Sequence, residues 1–291
     1  MIYITYKQNS GGRSGHKLGE IFTCFILSCM LDVKILYNPT WEKQLIISKE
    51  SFKKHSDNFN GNFDRIEKIS NVRKWKSISW EDFVNLKKKI SNINNEHVLI
   101  ELSNVYKIYP HIIYNWYLNK NLEEDIYHYK VLPKLRELYF YDHKENQIDC
   151  ITIHIRCGDL HNWMTKAGFT LDYYKKIVQV LNSNFNNTIK IFFENKNHQE
   201  FVELKKLKNV EVYIGGVDDF DKHFNDMINS KVLIVSSSNM CVFASYLCKG
   251  LVLVDNKCNT RNELYSTYDK GIIEFFDNIS EKIDLIKSVL E

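Results

Sequence analysis

Apolar positions along the chain follow two rhythms. Residues 2–6 and 34–37 are short apolar runs that read as strands. Between them Leu18, Ile21, Phe22, Phe25, Ile26 and Cys29 recur every three or four residues, which places them on one face of a helix over 16–31. Residues 8–15 separate the first strand from that helix and are rich in turn formers, with Gly11, Gly12 and Gly15. Strand, glycine-rich loop, helix and strand make a βαβ unit. Further on, 80–90 predicts a helix opening near Ser79, and 98–102 a strand. Residues 123–141 predict a helix with a break at Pro133, which has no N–H to give to the preceding turn.

After residue 148 the pattern sharpens. Strand-like runs at 151–156, 189–193, 210–214, 232–235 and 251–254 alternate with helical patterns at 171–181, 199–207, 220–229 and 239–248, and a last helix covers 280–290. Such alternation predicts a doubly wound parallel α/β sheet. The strands are almost continuously hydrophobic, as strands covered on both faces must be. The polar stretch 144–147 marks a boundary, giving an N-terminal α/β domain over 1–147 and a C-terminal Rossmann-like domain over 148–291.

Composition narrows the classes. A chain of 291 residues with 44% hydrophobic and 26% charged residues is globular in type. Its 39 basic and 36 acidic residues leave a formal charge of +3, and no basic stripe stands out, so nucleic acid is not an expected partner. No apolar stretch is long enough to span a bilayer, and the chain opens as a strand rather than as a basic segment before an apolar core. The expected location is therefore cytoplasmic, without a transmembrane segment. Seven cysteines without a CxxC pair read as free, mostly buried thiols.

Ligands of doubly wound sheets bind at the carboxyl ends of the strands. The first of those ends in the C-terminal half is His154-Ile155-Arg156-Cys157-Gly158-Asp159. Arg156 can donate two parallel hydrogen bonds to phosphate oxygens, or it can form a plain ion pair with Asp159. His154 braces the loop, touches a phosphate, or is an ordinary core histidine. Glu194 and the Gly215-Gly216 turn follow the next strands and are candidates for reading a base. Ser236-Ser237-Ser238-Asn239 opens a helix, where hydroxyls, amide groups and the helix dipole suit a phosphate; N-capping is the plainer use of the same residues. Asp219-Phe220-Asp221 has the spacing of a metal-binding acidic pair, but it falls where a helix begins and acidic residues suit the first turn.

The pattern of His154, Arg156, Gly158 and Asp159 resembles the His-x-Arg-Arg-Gly-Asp motif of the group containing α1,2-, α1,6- and protein O-fucosyltransferases, with Cys157 in place of the second Arg. Gly15-His16-Lys17-Leu18-Gly19-Glu20 is similar to the group's N-terminal glycine turn, with Glu20 where Asn is common. Ser236 to Asn239, followed by Phe243-Ala244-Ser245-Tyr246-Leu247, is similar to its diphosphate-contacting segment. The resemblance implies a GT-B type α/β fold with two Rossmann-like domains, the first on the acceptor side and the second binding the donor. It implies GDP-fucose as donor, inversion at the anomeric carbon, a glycan or other hydroxyl acceptor, and neither metal nor separate cofactor. On it, Gly12, Gly15, His154, Gly158, Asp159, Glu194, Gly216, Ser236, Ser237, Ser238 and Asn239 would hold the donor. Arg156 would act on the leaving group, and His16 or Glu20 would serve as base. Two alternatives stand beside it: the same fold with a different donor sugar, and a nucleotide- or glycan-binding protein on a degenerate transferase scaffold.

Overall fold

The structure, a computed structural model, describes residues 1–7, 14–37, 49–70, 79–94, 96–103, 116, 119–120, 127–140, 146–155, 170–193, 203–214, 219–236, 238–257 and 273–291. For residues 14–17, 49, 70, 127–128, 171 and 239 it describes the backbone alone. The chain forms two compact units, Met1–Lys144 and Glu145–Glu291.

In the first unit the apolar runs become β1 (Ile2–Tyr6), β2 (Lys34–Ile35) and β4 (Val98–Ser103), with β3 (Arg65–Ser70) added. They form a four-stranded sheet in the order β2-β1-β4-β3, and every ladder is parallel. Helix α1 (Ser14–Leu31) buries Leu18, Ile21, Phe22, Phe25 and Ile26, the face that the spacing marks. Helix α2 (Lys49–His55) and strand β3 have no counterpart among the sequence expectations. The reason is visible in β3: as an edge strand it carries Arg65, Glu67 and Lys68 and leaves Ile66 51% exposed, so no apolar run announces it.

Helix α3 (Trp80–Ser91) starts where expected, because Ser79 and Asp82 cap it reciprocally, the Asp82 N–H donating to Ser79 Oγ at 3.1 Å and the Ser79 N–H to Asp82 Oδ2 at 3.2 Å. The break expected at Pro133 takes the form of a change in winding. A π-turn, Tyr127–Val131, gives way to α4 (Leu132–Phe140) immediately before the proline.

The second unit carries β5 (Ile148–Ile155), α5 (Leu171–Asn184), β6 (Thr188–Phe193), β7 (Val210–Ile214), α6 (Phe220–Asn229), β8 (Ser230–Val235), α7 (Asn239–Leu247), β9 (Leu251–Asp255), β10 (Ile273–Phe276) and α8 (Ile283–Leu290). All five ladders of its six-stranded sheet are parallel. Thr170 caps α5 by accepting the Tyr173 N–H, and the helix buries Tyr174, Ile177, Val178 and Leu181 against the sheet side. Lys190 of β6 pairs with Asp226 of α6 at 3.1 Å, both largely buried, which pins that helix to the sheet. Of the helix expected over 199–207, Glu203 and Leu204 are helical and 205–207 turn out of it, with the Lys206 and Leu207 N–H groups reaching back three residues to Glu203 and Leu204; 199–202 lie outside the described residues. Strand β10 was not anticipated.

The strand order is β10-β9-β8-β5-β6-β7. From β5 the chain steps outward to β6 and β7, then returns to place β8 on the other side of β5 and steps outward to β9 and β10. The order therefore reverses between β5 and β8. From those two neighbours the strand order runs on in opposite directions, and a switch point of this kind is where parallel sheets bind ligands. In the first sheet β1 and β4 are the central neighbours, and just past β1 the Lys7 N–H donates to the Leu102 carbonyl at 2.7 Å.

Candidate functional site

The carboxyl edge of β5 and β8 brings together residues that the sequence holds far apart. His154, the penultimate residue of β5, is 3% exposed, and its Nδ1 lies 3.1 Å from Ser236 Oγ, just beyond β8. This contact spans the switch point itself. Ser236 Oγ lies 3.6 Å from Cys241 Sγ, on the first turn of α7. From Met240 to Cys248 every side chain is buried, so α7 is a core helix apolar on all sides, and its N-terminus is fixed where β8 ends.

The chain enters α7 through Ser238, which is extended at φ −141° and ψ 134° and makes no side-chain capping bond. Ser238 instead donates its backbone N–H to the Ser236 carbonyl at 2.7 Å, while its own carbonyl accepts the Val242 N–H at 3.1 Å. The first-turn N–H groups of a helix have no acceptor one turn back, and the helix dipole adds partial positive charge there. An anion at the switch point would meet that end.

The Cys241 thiol responds to this setting. Burial pushes its pKa up, but the His154 charge and hydrogen bond, together with hydrogen bonds from the Ser236 backbone and side chain, bring it below the ordinary thiol value. One strand further on, Asp255 ends β9 at 2% exposure. Its Oδ1 accepts the Lys257 N–H at 2.6 Å, and Oδ2 has no hydrogen-bond partner among the described residues. Burial raises that carboxyl, opposed by the Lys257 hydrogen bond and charge.

On the other side, at the ends of β6 and β7, the His223 ring lies 4.3 Å from that of Phe192 and 5.9 Å from that of Tyr213. Burial lowers the pKa of His223. Tyr213 donates its phenol proton to Glu211 at 2.5 Å, and that bond, followed by burial and charge, pushes the phenol up to about 12. Asp219 takes the N-cap position of α6 and Asp221 falls in its first turn, as acidic residues at a helix start do. Among the described residues no group of three or more His, Cys, Asp or Glu is placed to hold a metal ion.

Of the residues expected at the site, His154, Ser236 and Ser238 converge, and Asn239 opens α7. In the first unit, Gly15 and His16 belong to the first turn of α1. Glu20 is buried on that helix, 7% exposed, one turn before Cys24, whose thiol burial and the Glu20 charge both push up. Gly12, Arg156, Gly158, Asp159, Glu194, Gly216 and Ser237 lie outside the described residues. Cys241 was not anticipated as a member of the site. Its position three residues after Ser238, within the first helical turn, was the available signal.

No family model matches the chain, and no curated protein matches it. Among solved structures, a crystal structure of POFUT1 in complex with GDP is similar over 95% of this chain and 99% of that chain, with a TM-score of 0.43 and 10% sequence identity. The ladders of the chain itself define its class: an α/β protein with two parallel sheets, the second doubly wound about a switch point at β5 and β8. Among the described residues no helix is long and apolar enough to cross a membrane.

Proposed function

We propose that the chain is a glycosyltransferase that binds a nucleotide-sugar donor at the β5–β8 edge. The observation that carries this reading is the His154–Ser236 hydrogen bond across the switch point, beside the N-terminus of α7. The sequence resemblance supplies the finer content: GDP-fucose as donor, a glycan or other hydroxyl as acceptor, inversion, and no metal requirement.

When the bond to the anomeric carbon breaks, negative charge grows on the departing diphosphate. The first-turn N–H groups of α7 and the Ser236, Ser237 and Ser238 hydroxyls are the groups proposed to receive it, with Arg156 as its guanidinium partner. Donors held in place before the reaction need no reorganisation as the charge develops. The acceptor hydroxyl must lose its proton to a base, and His16 and Glu20 of the first unit are the candidates.

Thermal unfolding with GDP, UDP and CMP in EDTA tests the donor. Ligand that binds only the folded state should stabilise it by about 2.7 kcal/mol at a hundredfold excess over the dissociation constant. A shift with GDP in EDTA is expected. No shift with GDP would refute the donor, and a shift that requires Mn²⁺ would return the role to Asp219 and Asp221. Slow release of fucose from GDP-fucose separates an enzyme from a degenerate scaffold, which would bind GDP and turn nothing over.

A further inference from the structure

We infer that the open edge of the first sheet is a self-association surface, on which strand β3 pairs antiparallel with β3 of a second copy of the chain about a two-fold axis through Ile66. The inference goes beyond the nucleotide-sugar reading and does not depend on it.

Strand β3 ends its sheet, and among the described residues it pairs with β4 alone. A strand so placed leaves alternate N–H and C=O groups unpaired along its outer side, which is a template for another strand. Ile66 sits in the middle of that strand at 51% exposure, an aliphatic side chain left in water. On the helix side, a groove lined by Arg65, Glu67 and Ile69 of β3 and by Leu86, Lys89 and Ile90 of α3 keeps the strand reachable.

The order of charges selects the occupant. Residues 64–68 read Asp-Arg-Ile-Glu-Lys. A two-fold axis normal to the sheet runs the two strands antiparallel and sets one residue opposite its own copy. With Ile66 on the axis, Arg65 of each copy faces Glu67 of the other, and Asp64 faces Lys68. Every charge then meets its opposite, and the two Ile66 side chains cover each other. Directly opposite pairs of these kinds are what stabilise a ladder. Arg65 and Glu67 already lie together on one face of the strand, Nε 3.1 Å from Oε1, so dimerisation joins two such pairs into a ring of four alternating charges.

Moving the axis to Glu67 or to Arg65 sets Glu67 against Glu67 or Arg65 against Arg65, and like charges directly opposite destabilise. Charged side chains usually guard an edge against pairing. Here their order guards against other registers and admits the chain's own copy in one. The contact closes on itself, so association stops at the dimer. Two short strands bury less area than a permanent interface, so the dimer should be weak and reversible.

The test is sedimentation of the full chain over a range of concentrations. Wild type should show a monomer–dimer equilibrium that weakens as salt is added. Arg65→Glu and Glu67→Arg should each raise the dissociation constant on the order of tenfold or more, because each sets like charges opposite at two places. The double variant Arg65→Glu/Glu67→Arg should restore association. Cross-linking gives an independent measurement: opposite residues have Cα atoms about 4.5–5.5 Å apart, within disulfide reach, so mild oxidation of Ile66→Cys should link two copies at that position. Lys68→Cys, with its two copies roughly 14 Å apart, should not link. A wild-type chain that stays monomeric into the millimolar range, or a dimer indifferent to both charge reversals, would overturn the proposal. So would a folded double variant no better than the single ones, or linkage through Lys68→Cys as ready as through Ile66→Cys.

Discussion

Replacing Gly250 by alanine should destabilise the second unit while sparing its ligand edge. Gly250 lies between α7 and β9 and packs against the start of β8. A Cβ there would stand 2.3 Å from the Ser230 carbonyl oxygen, 2.4 Å from the Lys231 oxygen and 2.7 Å from the Lys231 carbonyl carbon. Ordinary contact begins near 3.4 Å, so the backbone of β8 would have to retreat by about an ångström. That backbone is committed: Ser230 pairs with Ile148 of β5, its hydroxyl donates to the Met227 carbonyl at 2.9 Å, and its carbonyl receives the Cys248 thiol at 3.7 Å.

Overpacking of this kind costs typically about 1–3 kcal/mol, and a backbone obstacle places Gly250→Ala at the upper end. The loss of unfolded-state freedom on going from Gly to Ala returns about 0.4–1 kcal/mol. A net loss of about 2–2.6 kcal/mol follows, or a fall in Tm of about 4–10 °C for a unit of this size. The clash sits at the amino end of β8, whereas Ser236 follows its carboxyl end, roughly 20 Å along the strand. GDP affinity of the folded variant should therefore stay within about twofold of wild type. Urea unfolding and GDP titration measure the two quantities. Gly61→Ala is the comparison: its Cβ would meet the Phe59 ring at 2.6 Å, a side chain that disturbs its contacts with Tyr3, Phe63 and His97 when it moves but shifts no backbone, so the loss should be the smaller of the two. A Gly250→Ala loss no larger than that of Gly61→Ala would refute the reasoning.

Two further changes probe the edge itself. Arg156→Lys keeps the charge but loses the fork, so turnover should drop about 10²–10³-fold with GDP affinity much less affected; a variant retaining a third of wild-type turnover would reduce Arg156 to an ion-pair partner. Asp255→Asn should raise stability at pH 7. Burial lifts the Asp255 carboxyl in the folded state, so the folded chain holds a proton that the unfolded chain has lost, and stability falls as pH rises from about 3.9 through the folded value. The advantage of Asn should shrink towards zero as pH approaches 4, and comparison at each pH cancels the opposite trend from His223, whose lowered pKa makes stability fall as pH drops below the ordinary histidine range. A pH-independent difference between Asp255→Asn and wild type would contradict this account.

The sequence by itself determined the elements that build the edge. Residues 151–155, 189–193 and 251–254 are mostly apolar, Thr152, His154 and Lys190 apart, because strands β5, β6 and β9 are largely buried on both faces, and that environment can be read locally. The serines before α7 mark a helix start by residue type, although Ser238 at the N-cap position makes no side-chain capping bond. Exposed or peripheral pieces escaped, as β3 did, since a polar edge strand needs no apolar run.

What only the tertiary structure decided is which strands are neighbours. Strands buried on both faces carry much the same pattern in any order, so nothing local says that β8 lies against β5 rather than β7, the strand it follows in the chain. That choice makes the switch point, and it brings His154 within 3.1 Å of Ser236, 82 residues away, with Cys241 beyond it. Backbone ladders pair without regard to side-chain identity, and the convergence follows from the path of the crossovers, which no local stretch of sequence records.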